Sequence, residues 1–291
     1  MLNPDNAPTA LAATSARDGP THGSDAPGKT APPARADAWP WRLAATAFAF
    51  LAFGLGGLWL RLAVFPPQRW LSTDPARRQQ RARATIHHAF RRFIRLLVRT
   101  RVLTYEFEGI ERLGRPGQMI VANHPSLLDV VFLIGHVADA NCIVKHGLQR
   151  NAFTAGPVRS ARYITNDANA EMVETAASVL ADGQTLIVFP EGTRTPAGRM
   201  PIFHRGACAI ALRGASVVTP VVIRMDPPSL TKGEPWYRIP RRRMHYRLTV
   251  GPDIDPAQWR EYPRPIAGRK LSEHLHHYFN MELSPDGSTG N

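Results

Sequence analysis

Asn123-His124-Pro125-Ser126-Leu127-Leu128-Asp129 sets an imidazole five residues ahead of a carboxylate. Further along, Phe189-Pro190-Glu191-Gly192-Thr193-Arg194-Thr195 gathers an acid, a glycine, a hydroxyl and a guanidinium in one short loop. A carboxylate on one ring nitrogen fixes the imidazole tautomer and leaves the other nitrogen as a general base. Gly192 permits close backbone approach, Thr193 can donate or accept, and Arg194 can grip a phosphate with two parallel bonds. Together the two stretches point to group transfer onto an alcohol.

These residues need elements to hold them. Gln118 to Ala122 is an apolar run that predicts a buried strand, and Leu127 through Ile134 predicts the helix that follows. Pro125 suits the first helical position and pushes His124 to an extended conformation. Asp129 then lies about one turn into the helix, where its carboxylate can reach back to a ring held outside it. The positive end of the helix opposes a proton on His124. Thr185 to Phe189 predicts a second buried strand that delivers the Glu191 loop to its carboxyl end, where open α/β sheets bind ligands. Further strands near 102–107, 141–145, 162–165, 217–223 and 245–250 alternate with helices near 170–181, 205–213 and 266–281. That order predicts an α/β fold with a mostly parallel central sheet flanked by helices.

The Asn-His-x-x-x-x-Asp element followed by Phe-Pro-Glu-Gly-Thr-Arg resembles the lysophospholipid and glycerolipid acyltransferase family, typified by 1-acylglycerol-3-phosphate acyltransferases. The likeness covers roughly residues 85–225. It implies a fatty acyl group moved from an acyl thioester, carried by coenzyme A or acyl carrier protein, to a hydroxyl of a lysophospholipid or related lipid. It also implies His124 as general base, Asp129 as its orienting acid, and Glu191, Gly192, Thr193 and Arg194 as the acceptor-binding block. Lys145 resembles a basic position between the family's first two blocks, and Val217 to Ile223 resembles its late, proline-bearing strand near the active site. Where the family carries Gly-x-x-Phe-Ile-x-Arg, this chain reads Ala161-Arg162-Tyr163-Ile164-Thr165-Asn166, with a neutral amide in place of a guanidinium. A neutral donor holds a phosphate less strongly than a charged one, so an acceptor other than simple 1-acylglycerol 3-phosphate is expected, with Asn166 and Arg162, or Arg159, as its contacts. Tyr163 to Asn166, together with Trp236 to Arg243, also resembles a proteobacterial branch of the family associated with aryl-polyene lipid clusters.

A thioester already carries an activated acyl carbon, so no cofactor, metal or covalent nucleophile is expected. Cys142 and Cys208, the two cysteines of the chain, fall in apolar or small-residue stretches and read as packing residues. His87, His88, His274, His276 and His277 lack the cysteine or carboxylate spacing of a metal site.

The 291 residues carry a formal charge of +13, which suits either nucleic acid or an anionic membrane. Residues 43–60 hold no charged side chain and predict a membrane anchor, spanning or re-entrant. The arginines after it place the rest of the chain on the cytoplasmic face, in a bacterium at the inner membrane. Ile86, Phe90, Phe93, Ile94 and Leu97 recur at helical spacing in a basic run, predicting an amphipathic helix against headgroups or the domain. The expected organisation is a disordered tail over 1–40, an anchor over 41–65, the basic helix over 66–101, the catalytic domain over 102–283 and a flexible end over 284–291. The expected partners are an anionic membrane surface, a lipid acceptor and acyl carrier protein, and not nucleic acid. The competing class is a basic membrane-surface or nucleic-acid-binding protein without catalysis. An uncharged anchor argues against nucleic acid, and His124, Asp129, Glu191 and Arg194 together argue for an enzyme.

Overall fold

The computed structural model describes residues 38–71, 73–167, 169–196 and 198–284. The expected tail (1–40) and flexible end (284–291) lie outside the described residues, apart from their innermost positions.

An apolar helix α1 (Trp39–Trp59) runs through a π-helical turn (Leu60–Val64) into a short α2 (Phe65–Trp70). The basic helix α3 (Pro75–Arg99) follows. Its start is set locally, because Pro75 occupies the first turn and the Asp74 carboxylate accepts from the Ala76 N–H at 2.9 Å. The basic helix therefore begins nine residues later than position 66, and residues 66–70 lie in α2. Then come β1 (Leu103–Glu108), β2 (Gln118–Ala122), α4 (Asp129–His136), β3 (Asn141–Lys145), α5 (Ala155–Ser160) and β4 (Ile164–Asn166). The chain continues through α6 (Ala170–Ala181), β5 (Leu186–Val188), α7 (Arg205–Gly214), β6 (Val217–Asp226), β7 (Met244–Val250) and α8 (Arg264–Leu283). The strands form one sheet in the order β1-β7-β6-β2-β5-β3-β4. From β6 to β4 neighbours are parallel, whereas β7 is antiparallel to β6 and carries β1 parallel to itself.

Helices cover both faces, which is why β2 is apolar almost throughout rather than alternating. Ile120 and Ala122 point into a core with α1, α3 and α4, while Met119 and Val121 point into another with α6, α7 and α8. The parallel strands β2, β5, β3 and β4 bring their carboxyl ends to one sheet edge. His124, Glu191, Lys145 and Asn166 all lie at or just beyond those ends.

Helix α1 is docked on the domain by one face. The buried Arg42 guanidinium donates to the Pro240 carbonyl at 3.0 Å and also to those of Arg241 and Arg242. Trp39 Nε1 donates to the Ile239 carbonyl at 3.3 Å. At Gly57 the helix meets the chain so closely that a Cβ would lie 2.1 Å from the Phe153 carbonyl oxygen. The other face is an exposed apolar stripe, Phe48, Leu51, Leu55, Trp59 and Leu62, each 53–65% exposed. Among the described residues, Trp39–Trp70 is the one helix long and apolar enough to cross a membrane, with 22% of its most apolar window buried. The periodic residues of α3 turn inward: Ile86, Ile94 and Leu97 are buried, and Phe53 of α1 packs on Phe90 and Phe93 with ring centroids 5.9 and 5.2 Å away.

Candidate active site

Strand β2 ends at Ala122, and Asn123 fixes the turn that follows by clamping the neighbouring strand. Its side chain donates to the Ile223 carbonyl at 2.8 Å and accepts from the Ile223 N–H at 2.7 Å. His124 comes next, with its backbone N–H bound to Glu191 Oε1 at 2.7 Å and its carbonyl accepting from the Thr195 N–H at 2.9 Å. The ring sits over Phe189 with centroids 4.4 Å apart.

Asp129 Oδ2 accepts from His124 Nδ1 and from the Ser126 N–H, both at 2.8 Å. The His124 side chain is 16% exposed and the Asp129 side chain fully buried. With Nδ1–H directed at the carboxylate, Nε2 is the free, basic nitrogen. Burial pushes the Asp129 carboxyl above the ordinary aspartate value, opposed by the bonds from His124 and Ser126 and by the nearby Arg194 charge. The Ser126 hydroxyl, which donates to the Ser229 carbonyl at 3.2 Å, accepts from Tyr246 at 2.6 Å.

Helix α4 departs from expectation here. Pro125 is not its first residue; the helix begins at Asp129, after a turn. The Ser126 N–H is bound to Asp129 and the Leu127 N–H to the Leu230 carbonyl at 3.2 Å, so one local and one tertiary bond hold these residues in a turn ahead of the helix. As a result Asp129 lies at the helix start, where a carboxylate is favoured.

The second loop is held from inside. Glu191 is buried, its Oε1 taken by His124 N–H and its Oε2 by the Thr195 hydroxyl. One oxygen is bonded to each motif, so Glu191 braces the two against each other, and it is not among the residues that line the cavity over these groups. Burial raises its carboxyl above the ordinary glutamate value, against the bonds from Thr195 and His124. Gly192 takes φ 64°, a left-handed conformation that L side chains resist. Arg194 Nη1 donates to the carbonyls of Leu230 at 2.8 Å and Thr231 at 3.1 Å, tying down the loop after β6.

A cavity of about 550 Å³ opens over these groups. His124, Lys145, Asn166, Gly192, Thr193 and Arg194 line its polar part. Lys145 and Asn166 are register partners on β3 and β4, so a cation and an amide stand side by side. The rest is apolar, walled by α1 through Phe50 and Phe53, by α3 through Ile86 and Phe90, and by α4 through Val131 and Ile134.

Three expected residues fall elsewhere. Arg162 precedes β4, at the opposite end of that strand from Asn166, and with Arg159 lines a separate pocket. Neither lines the cavity at His124 and Asn166. Pro220 sits within β6, paired with Val121, and does not line the cavity; its strand acts on the site through Ile223 and Asn123. Conversely, the loop at Leu230 and the side chains of Ser126 and Tyr246 support the site without a sequence signal, since their partners lie 36 to 120 residues away. The helical spacing of Phe50 and Phe53 with Ala49 was the available sign that α1 has an inward face. Cys142 and Cys208 are buried, and desolvation pushes their thiols up to about 12 and about 11.

Comparison with known proteins agrees with this arrangement. Residues 104–224 match the family model described as Acyltransferase. The chain is 26% identical over 192 residues to 1-acyl-sn-glycerol-3-phosphate acyltransferase of Pseudomonas aeruginosa, covering 63% of this chain and 71% of that one. It is 33% identical over 113 residues to 1-acyl-sn-glycerol-3-phosphate acyltransferase alpha of Homo sapiens, covering 36% of this chain and 40% of the human one. The chain thus spans about two fifths of the mammalian relatives it matches. The solved structure of the 1-acyl-sn-glycerophosphate acyltransferase PlsC from Thermotoga maritima superposes with a TM-score of 0.64 at 23% identity, covering 83% of this chain and 95% of that one, and shares the fold.

These findings place the chain among the O-acyltransferases. Residues 104–224 match the Acyltransferase model, and the relatives the chain resembles are named 1-acyl-sn-glycerol-3-phosphate acyltransferases.

Proposed function

We propose that this chain is a membrane-bound enzyme that moves a fatty acyl group from an acyl thioester, of coenzyme A or acyl carrier protein, to the free hydroxyl of a lysophospholipid. The observation that carries the reading is the His124–Asp129 pair, 2.8 Å apart, with His124 among the polar residues of a largely apolar cavity. Asp129 holds Nδ1–H, so Nε2 accepts the proton of the acceptor hydroxyl as its oxygen attacks the thioester carbonyl carbon. The tetrahedral intermediate collapses with cleavage of the carbon–sulfur bond, and the proton on Nε2 passes to the departing thiolate. Imidazole is regenerated, and no acyl-enzyme is needed.

Lys145 supplies a cation at the cavity, beside Asn166, for the acceptor phosphate. That weakens the inference from Asn166 alone to a different acceptor, and 1-acylglycerol 3-phosphate, the acceptor in the relatives' names, becomes the reference substrate. The stripe on α1 supports membrane residence. With the opposite face committed to the domain, the helix lies half embedded in one leaflet instead of crossing alone, and the arginine-rich domain stays on the cytoplasmic side.

The test is acyl transfer in washed membranes, wild type against His124→Ala, with a panel of acceptors. Loss of about 10²–10⁴-fold is expected for a missing general base. Equal turnover would remove the mechanism. Preference for a neutral lysolipid over 1-acylglycerol 3-phosphate would return Asn166 to the centre of acceptor choice.

A further inference from the structure

A second pocket of about 250 Å³ lies at the junction of α2, α3 and α5, apart from the His124 cavity. Four guanidinium-bearing residues line it, Arg69, Arg78, Arg159 and Arg162, with Gln68 and Ser160 between them. Its floor is the buried Phe65 and Ala82.

Its composition is one-sided: among the described residues, no aspartate or glutamate lines the pocket. Asp74, the nearest acid in sequence, caps α3 and lies 3.5 Å from Arg77. Arg159 Nη2 donates to the Gln149 carbonyl, a neutral partner, at 3.0 Å. The lining is therefore basic without an acidic counterpart, and the planar forks of arginine match phosphate oxygens in pairs. Arg162 takes φ 52° and its N–H turns back to the Arg159 carbonyl at 3.2 Å, which fixes the backbone of these two residues at the end of α5.

Position identifies the source of the anion. Trp70 and Leu71, at the end of α2 beside Arg69, are 86% and 70% exposed, and continue the apolar stripe of Trp59 and Leu62. A pocket of arginines bordered by exposed tryptophan and leucine has the layering of a bilayer edge, with acyl chains against the apolar rim and phosphate against the basic hollow.

We propose that this pocket seats the phosphate of an anionic phospholipid headgroup, a lipid that is neither acceptor nor product in the His124 cavity. The seat fixes the depth and rotation of the protein at the membrane surface. It rests on the membrane reading of α1, but its test separates the two.

The experiment uses the full chain in flotation with phosphatidylcholine vesicles carrying phosphatidylglycerol or, at matched surface potential, oleate. Wild type is compared with Arg78→Gln/Arg162→Gln and with a surface control on α3, Arg92→Gln/Arg99→Gln. Wild type should prefer phosphatidylglycerol to oleate by about tenfold, as paired charge-assisted bonds to phosphate exceed general attraction. The pocket variant should lose that preference, whereas the control should weaken on both vesicles and keep it. Three outcomes would overturn the seat: equal ratios in all three proteins, a ratio lost equally in both variants, or a raised KM for acyl-coenzyme A in the pocket variant with vesicle preference intact. The last would assign the arginines to the soluble donor. Failure of wild type to float even with pure phosphatidylcholine would count against the α1 reading instead. Unchanged acyl transfer to a detergent-dispersed acceptor shows that the variants are folded.

Discussion

The backbone N–H of His124 and Oε1 of Glu191 are 2.7 Å apart, and that bond makes the two sequence motifs one unit. Each comes from its own strand end, yet the acid of the second carries the backbone of the first. The imidazole that Asp129 orients from one side is held in height by Glu191 from the other.

Replacing Glu191 by Gln leaves an acceptor for one of its two donors and sets an amide against the other. Loss of a buried, charge-assisted acceptor costs about 1–3 kcal/mol. The expected result is a fall in kcat of about 10–100-fold with KM for the acceptor little changed. Steady-state kinetics decide it, and a raised KM at constant kcat would return Glu191 to the acceptor site.

Asp129 sets stability and activity against each other. Burial raises its carboxyl, so the folded chain holds this proton more tightly than the unfolded chain does. The group's contribution to stability is therefore present at low pH and lost as pH rises through the folded value; Glu191 has the same sign. Asp129→Asn cannot ionise, and its Tm should rise relative to wild type as pH goes from about 4 to about 8, while activity falls by about 10²-fold or more. Paired thermal melts across that range check it, and a Tm difference independent of pH would contradict the buried-charge account.

Gly57 tests whether α1 belongs to the catalytic cavity. A Cβ there would strike the Phe153 carbonyl oxygen, so Gly57→Ala must shift the helix off the domain. A stability loss of about 1–3 kcal/mol is expected from overpacking, with lower activity toward long acyl donors than short ones. Activity falling equally for all chain lengths would argue that α1 leaves the cavity unchanged.

Direct transfer without an acyl-thiol intermediate predicts indifference to cysteine chemistry. With both thiols buried and pushed up to about 12 and about 11, N-ethylmaleimide at neutral pH should leave activity intact, and Cys142→Ala/Cys208→Ala should remain active. Trapping of acyl label on the protein would count against it.

The sheet was legible because its central strands are buried on both faces and so read as short apolar runs, as Gln118–Ala122 and Leu186–Val188 do. The His124–Asp129 pairing was legible for a local reason, a proline after the first and a helix that begins at the second. The start of α4 was misplaced because Leu230, a hundred residues on, takes the Leu127 N–H. Arg162 was placed at the site by nearness to Asn166 in sequence, but a strand separates its ends in space, and residues on either side of β4 belong to different pockets. The inward role of Glu191 rests on partners at Thr195 and His124 that no spacing reveals. Where bonds are local, sequence carried the geometry; where they cross the sheet, it did not.

Phe50 and Phe53 face the cavity from a helix whose outer side bears Phe48, Leu51 and Leu55. Trimming the chain before residue 65 to obtain a water-soluble enzyme would thus do more than cut a tether. It would strip Phe50 and Phe53 from the cavity wall, and a preparation made that way would report on a broken vessel.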